Sequence, residues 1–137
     1  MDLSAYCIND KERIESKKFH HSYTFDLIEN DKITNAYIRW PAYKEILEKC
    51  LLLKSYPDRH KITISNDVKS CLKYVSFNED RENSKLYFSA HYRSQNNLMQ
   101  EYDTIFLTAC VTNYLCGIPP FNEIKTIVYV DEYLIIE

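Results

Sequence analysis

Cys71, Arg59, the pair Arg93-Ser94 and Asp103 are the residues whose types could carry chemistry in this sequence. A cysteine becomes a strong, soft nucleophile once it is a thiolate, and a neighbouring cation lowers its pKa towards that state. Arg59 and Arg93 are the cations to consider, and each guanidinium also offers a planar fork of donors matched to a phosphate. Ser94 adds a hydroxyl donor beside Arg93. Each residue also has a plainer reading. Cys71 lies in a strand-like run, where a cysteine is commonly a buried apolar thiol. Arg93 can cap a strand end and pair with Glu101 or Asp103, and Arg59 can be a solvated turn residue. Asp103 falls in the first turn of a helix, where a carboxylate complements the helix dipole. His60 and His91 read first as surface or satisfied histidines, although His91 shares a strand face with Arg93.

Composition narrows the choice. The 137 residues are 45% apolar and 27% charged, with twelve tyrosines and six phenylalanines, which suits one globular domain over residues 1–137. A net charge of −3 argues against a broad phosphate-seeking surface, so long nucleic acid is not an expected partner. Gly117 is the single glycine, which excludes Gly-rich phosphate loops of the Rossmann and P-loop kinds. Any phosphate must then be held by side chains or a helix N-terminus. The five cysteines contain no CxxC pair, and His20 and His21 are adjacent, so no metal site is expected. The sequence shows neither a signal core nor a membrane-length apolar run, so a cytoplasmic protein with reduced thiols is the expectation. Cys50, Cys110 and Cys116 read as core.

The elements that must position these residues follow from periodicity. Residues 9–18 read as a solvated turn or short helix, then Tyr23–Leu27 and Ile33–Trp40 as strands. Pro41 opens a helix through PAYKEILEKCLLLK, in which Tyr43, Ile46, Leu47, Cys50 and Leu51 recur at helical spacing. KITIS (61–65), CLKYVSF (71–77) and KLYFSAHYR (85–93) read as strands, the last two joined by the polar turn NEDRENS. In the third, Leu86, Phe88, Ala90 and Tyr92 share one face. Residues 101–116 form a second helix, with Tyr102, Ile105, Phe106, Ala109 and Cys110 on one stripe. Gly117 and Pro119-Pro120 stop that helix, and a last strand covers 124–136. The order predicts an α+β domain with helices packed on a mixed sheet.

Three stretches carry more than periodicity: PDRHKITISN, SCLKYVSF and LYFSAHYRSQN running into YDTIFLTACVTNYL. Their succession, over about residues 41 to 136, resembles the central block of the thymidylate synthase and deoxycytidylate hydroxymethylase superfamily. That resemblance implies a thymidylate synthase-like fold and assigns roles residue by residue. Arg59 and His60 stand where the family has its phosphate-binding Arg-Arg, and Cys71 stands at the nucleophile. Phe77 keeps the family's Phe six residues on, while Ser76 replaces its Gln. Arg93 and Ser94 match the phosphate-holding Arg-Ser, with Asn96 in place of the following Asp. Asp103 falls at the base-reading position, with a one-residue gap. Tyr133 supplies a hydroxyl where a ribose-holding His-x-Tyr is expected, without the His.

The chemistry implied is conjugate addition. A thiolate at C6 of a pyrimidine turns C5 into a nucleophilic carbon that takes a one-carbon unit or exchanges its proton. Aspartate at the base-reading position marks the cytidylate-specific members: a protonated carboxyl accepts from the N4 amine of cytosine and donates to N3. The resemblance further implies a homodimer in which Arg59 and His60 serve the partner's site, and 5,10-methylenetetrahydrofolate as one-carbon donor. The family's N-terminal Glu/Trp motif and its C-terminal folate-closing tail are not recognisable here. His60, Ser76 and those missing parts favour an alternative: a catalytically inactive nucleotide-binding or protein-interaction module on the same fold.

Overall fold

The computed structural model describes residues 14–28, 41–53, 61–63 and 71–137. Its elements are β1 (Ile14–Tyr23), α1 (Pro41–Leu53), β2 (Lys61–Thr63), β3 (Leu72–Asp80), β4 (Lys85–Asn96), α2 (Gln100–Leu115) and β5 (Glu123–Ile136). The strands make one five-stranded sheet in the order β1-β5-β4-β3-β2. β4 and β5 are parallel, and the other neighbours are antiparallel. A parallel pair needs a crossover, which α2 provides. The expected α+β domain with a mixed sheet is therefore the one observed.

The alternation in β4 is the clearest link from sequence to packing. Leu86, Phe88, Ala90 and Tyr92 are all buried beneath the helices, with Val75 and Phe77 of β3 and Val128 and Val130 of β5 beside them. Phe77 and Tyr114 stack at 4.2 Å, and Tyr43 of α1 stacks on Phe106 of α2 at 3.7 Å. Each fully buried large side chain contributes about 1.5–3 kcal/mol relative to exposure. A polar tie adds direction: Asn113 Nδ2 donates to the Leu47 carbonyl at 2.9 Å, joining α2 to α1.

Several expectations change. The first strand runs from Ile14 to Tyr23, where a turn or short helix was expected up to residue 18, and 24–28 is irregular. β1 is an edge strand, and an edge tolerates the charges of Glu15, Lys17 and Lys18 that hid its strand character. The strand expected over Ile33–Trp40 lies outside the described residues. In α2 the buried set is wider than one stripe, because the helix touches both α1 and the sheet. Leu107, Thr108 and Val111 are buried as well, while Tyr102 is exposed. Gly117 takes φ 75°, the left-handed conformation expected of a residue just past a helix end. Cys116 sits at that end and is exposed, so it is not core, whereas Cys50 and Cys110 are buried.

Candidate functional site

The alternation that builds the core breaks at one level across three strands. In β4 burial passes from Tyr92 over Arg93 and Ser94 to Gln95, and in β5 from Val130 over Asp131 and Glu132 to Tyr133. Register holds through the break, with Tyr92 opposite Val130 and Gln95 opposite Tyr133. In β1 the residue between the paired Phe19 and His21 is His20, which has φ 53°. Non-glycine residues enter that region seldom, histidine more readily than most. The slip turns Gln95 and Tyr133 towards the side that α2 covers. Local deviations of this kind re-aim side chains at strand ends.

A buried polar cluster forms there, at the C-terminal ends of the two parallel strands and the first turn of α2. Tyr23 Oη donates to Gln95 Oε1 at 2.6 Å, and Gln95 Nε2 donates to Asp103 Oδ2 at 2.8 Å. Tyr133 Oη donates to Gln100 Oε1, and the His21 ring lies 4.6 Å from the Tyr133 ring. Asp103 is only 7% exposed. Burial pushes its carboxyl up to about 7, against the lowering effect of the Gln95 N–H. Tyr92 Oη, next along β4, is buried and has no hydrogen-bond partner among the described residues. Burial raises the Tyr92 hydroxyl well above its ordinary range, with the Asp103 charge adding to the effect.

The remaining candidates are placed as follows. Arg93 is exposed, and its backbone N–H donates to the carbonyl of Cys71, the residue just before β3, at 2.7 Å. Ser94 is half-buried and pairs in register with Glu132. Cys71, Arg93-Ser94, Asp103 and Tyr133 thus come from one end of the sheet. Cys71 is disulfide-bonded, with a partner outside the described residues. That corrects the expectation of reduced thiols throughout: in this state the sulfur carries no thiolate. Arg59 and His60 lie outside the described residues. Ser76 is half-buried and Phe77 belongs to the core.

His91 projects from the other face of the sheet. Its Nε2 lies 2.6 Å from Asp131 Oδ1, and Lys73 Nζ donates to Asp131 Oδ2 at 3.1 Å. The His91 hydrogen bond, helped by Lys73, holds the Asp131 carboxyl below the usual range. Among the described residues no group of three or more His, Cys, Asp or Glu comes together as a metal site would require. No described helix is long and apolar enough to cross a membrane.

Gln95, Tyr23, Tyr92 and Gln100 are the members of the cluster that sequence reasoning missed. The sequence carries no local signal of it, because a polar Gln95-Asn96 after the last alternating apolar position reads as a strand leaving the core. Asn96 itself shapes the entry to α2, its Oδ1 accepting from the Met99 N–H at 2.9 Å.

The fold and this cluster define an α+β domain whose mixed sheet carries a buried polar site at the ends of its parallel strands. Among solved structures, thymidylate synthase from T4 phage is similar at a TM-score of 0.49 and 16% identity, over 67% of this chain and 35% of that one. The chain therefore spans about a third of the length of that structure, and a likeness at this level carries no argument about activity. No family model matches the chain, and no curated protein matches it in sequence.

Proposed function

We propose that this domain binds a pyrimidine nucleoside monophosphate at the end of the parallel strands, with cytosine preferred. The buried Asp103 is the observation that carries this reading. A carboxyl with a pKa near neutrality is substantially protonated in the cell, and only the protonated form both accepts from N4 and donates to N3 of cytosine. Arg93 and Ser94 stand at the same end of the sheet to take the phosphate, and Tyr133 offers a hydroxyl near the ribose. The succession of sequence motifs described above supports the same assignment. Ligands of parallel sheets collect at the carboxyl ends of strands, which is where these residues gather.

The modification that follows is of the C5 type, and it belongs to the reduced protein. Once a thiol reductant opens the disulfide, the Cys71 thiolate adds to C6. C5 then takes a proton from solvent and gives one up, and the thiolate leaves with its electron pair. Arg93, whose backbone N–H donates to the Cys71 carbonyl, is the cation we assign to favour the thiolate. The one-carbon donor that the resemblance implies, 5,10-methylenetetrahydrofolate, would supply the carbon unit when bound. A homodimer that brings Arg59 and His60 to the neighbouring site completes the phosphate clamp.

C5 proton exchange tests this reading. The protein is incubated in heavy water with dCMP, dUMP, CMP or UMP, with and without dithiothreitol and with and without methylenetetrahydrofolate, beside Cys71→Ser. Deuterium uptake on a cytosine nucleotide that needs the reductant and vanishes in the variant is the expected result. The disulfide-bonded Cys71 favours a second reading, an inactive nucleotide-binding module. Binding of dCMP with no exchange under any condition, and unchanged affinity in Cys71→Ser, would establish that reading instead.

A further inference from the structure

Gln95 takes no part in the nucleotide reading so far, yet among the described residues it is the one side chain that holds the Asp103 carboxyl. It is 2% exposed, and both ends of its amide are used. The amide turns its NH2 to Asp103 and its oxygen to Tyr23. The Tyr23 hydroxyl then donates to that oxygen and fixes the orientation from β1, 72 residues away in sequence. Among the described residues Asp103 Oδ1 has no hydrogen-bond partner.

We propose that Gln95 is a positioning residue: by donating to Asp103 Oδ2 it leaves Oδ1 as the oxygen that carries the proton offered to the base. This rests on the nucleotide reading given above. A hydrogen on Oδ2 would compete with the Gln95 N–H for one oxygen, so the neutral acid keeps Oδ2 as its carbonyl oxygen and Oδ1 as its hydroxyl. The second lone pair of Oδ2 remains able to accept from N4 of cytosine, while Oδ1–H meets N3. A buried amide without this bond would leave the acid free to place its proton on either oxygen.

The surroundings suit a site governed by one dipole. The titratable groups on packed elements are the hydroxyls of Tyr23 (β1), Tyr92 (β4) and Tyr133 (β5), with His21 of β1 against Tyr133. Among the described residues no cation contributes to the Asp103 carboxyl; burial and Gln95 alone set it. Removing the Gln95 donor therefore leaves burial unopposed.

The test uses protein labelled with 13C at the aspartate carboxyls, as wild type, Gln95→Met and Tyr23→Phe, with melting curves to verify folding. The Asp103 titration is followed by NMR without ligand, and dCMP and dUMP affinities are measured by calorimetry. Gln95→Met should move the Asp103 titration upward and cut the preference for dCMP over dUMP about tenfold, the worth of one well-placed hydrogen bond. Tyr23→Phe should move both in the same direction by less, in a protein whose core is otherwise intact. An Asp103 titration unchanged in both variants would overturn the proposal, as would a moved titration with the base preference intact. Should wild type bind neither nucleotide while the titration still moves, the role of Gln95 on Asp103 stands and the nucleotide reading fails.

Discussion

Raising the pH should destabilise this domain through Asp103, and Asp103→Asn should abolish that dependence. The carboxyl ordinarily titrates at 3.8 and does so at about 7 when buried here. Below the lower value both folded and unfolded chains hold the proton, so the residue contributes no difference. Between the two values the unfolded chain ionises while the folded one stays neutral, and folding stability falls as pH rises. Above the upper value the whole cost is present. At about 1.4 kcal/mol for each pKa unit, the loss reaches about 4 kcal/mol as an upper bound, because partial water access to a group 7% exposed reduces it. Asparagine imitates the neutral acid in shape and still accepts from Gln95 Nε2. Urea unfolding of both proteins at pH 5 and pH 8 measures the effect, and their difference cancels every other titrating group. Wild type should lose about 2–3 kcal/mol relative to the variant across that interval, since the part of the cost that falls below pH 5 is already present at the lower pH. Parallel pH dependence in the two proteins would refute the reasoning, since it would mean that the carboxyl ionises as easily inside as outside.

Tyr92→Phe should be neutral or stabilising by up to about 1 kcal/mol in urea unfolding, because it removes a buried hydroxyl that has no partner among the described residues; a clear loss would mean that the hydroxyl is hydrogen-bonded in solution. Thr126→Val should cost about 1–3 kcal/mol, because Thr126 Oγ1 both donates to the Phe25 carbonyl at 2.5 Å and accepts from the Phe25 N–H at 3.1 Å, clipping the segment after β1 onto β5. Hydrogen exchange at residues 24–28 should rise with it. Arg93→Ala should weaken dCMP binding by about tenfold or more in calorimetry, since a charged hydrogen bond to phosphate is its proposed role.

What the amino-acid sequence determines by itself is local. The period of two in Leu86, Phe88, Ala90 and Tyr92 announces a strand with one covered face, and Gly117 with Pro119-Pro120 announces where α2 must end. Both follow from backbone geometry within a few residues, so no distant partner is needed to read them. The order of elements, and with it the α+β class, follows in the same way. β1 was legible only at Tyr23, because charges that mark a loop elsewhere are also what an edge strand carries.

Tertiary structure decided the site. Asp103 looks like a dipole-complementing residue in its own helix turn; it is the packing of α2 on the sheet that buries it, and Gln95 that holds it. Gln95 faces Asp103 because β4 and β5 slip together after Tyr92 and Val130, and no local pattern announces a slip that paired strands share. Tyr23 reaches Gln95 across β5, and the sulfur of Cys71 is tied by a disulfide where reduced thiols were expected for want of a signal core. Burial, pKa and hydrogen-bond partner are properties of neighbours in space, and here the neighbours are supplied by strands far apart along the chain.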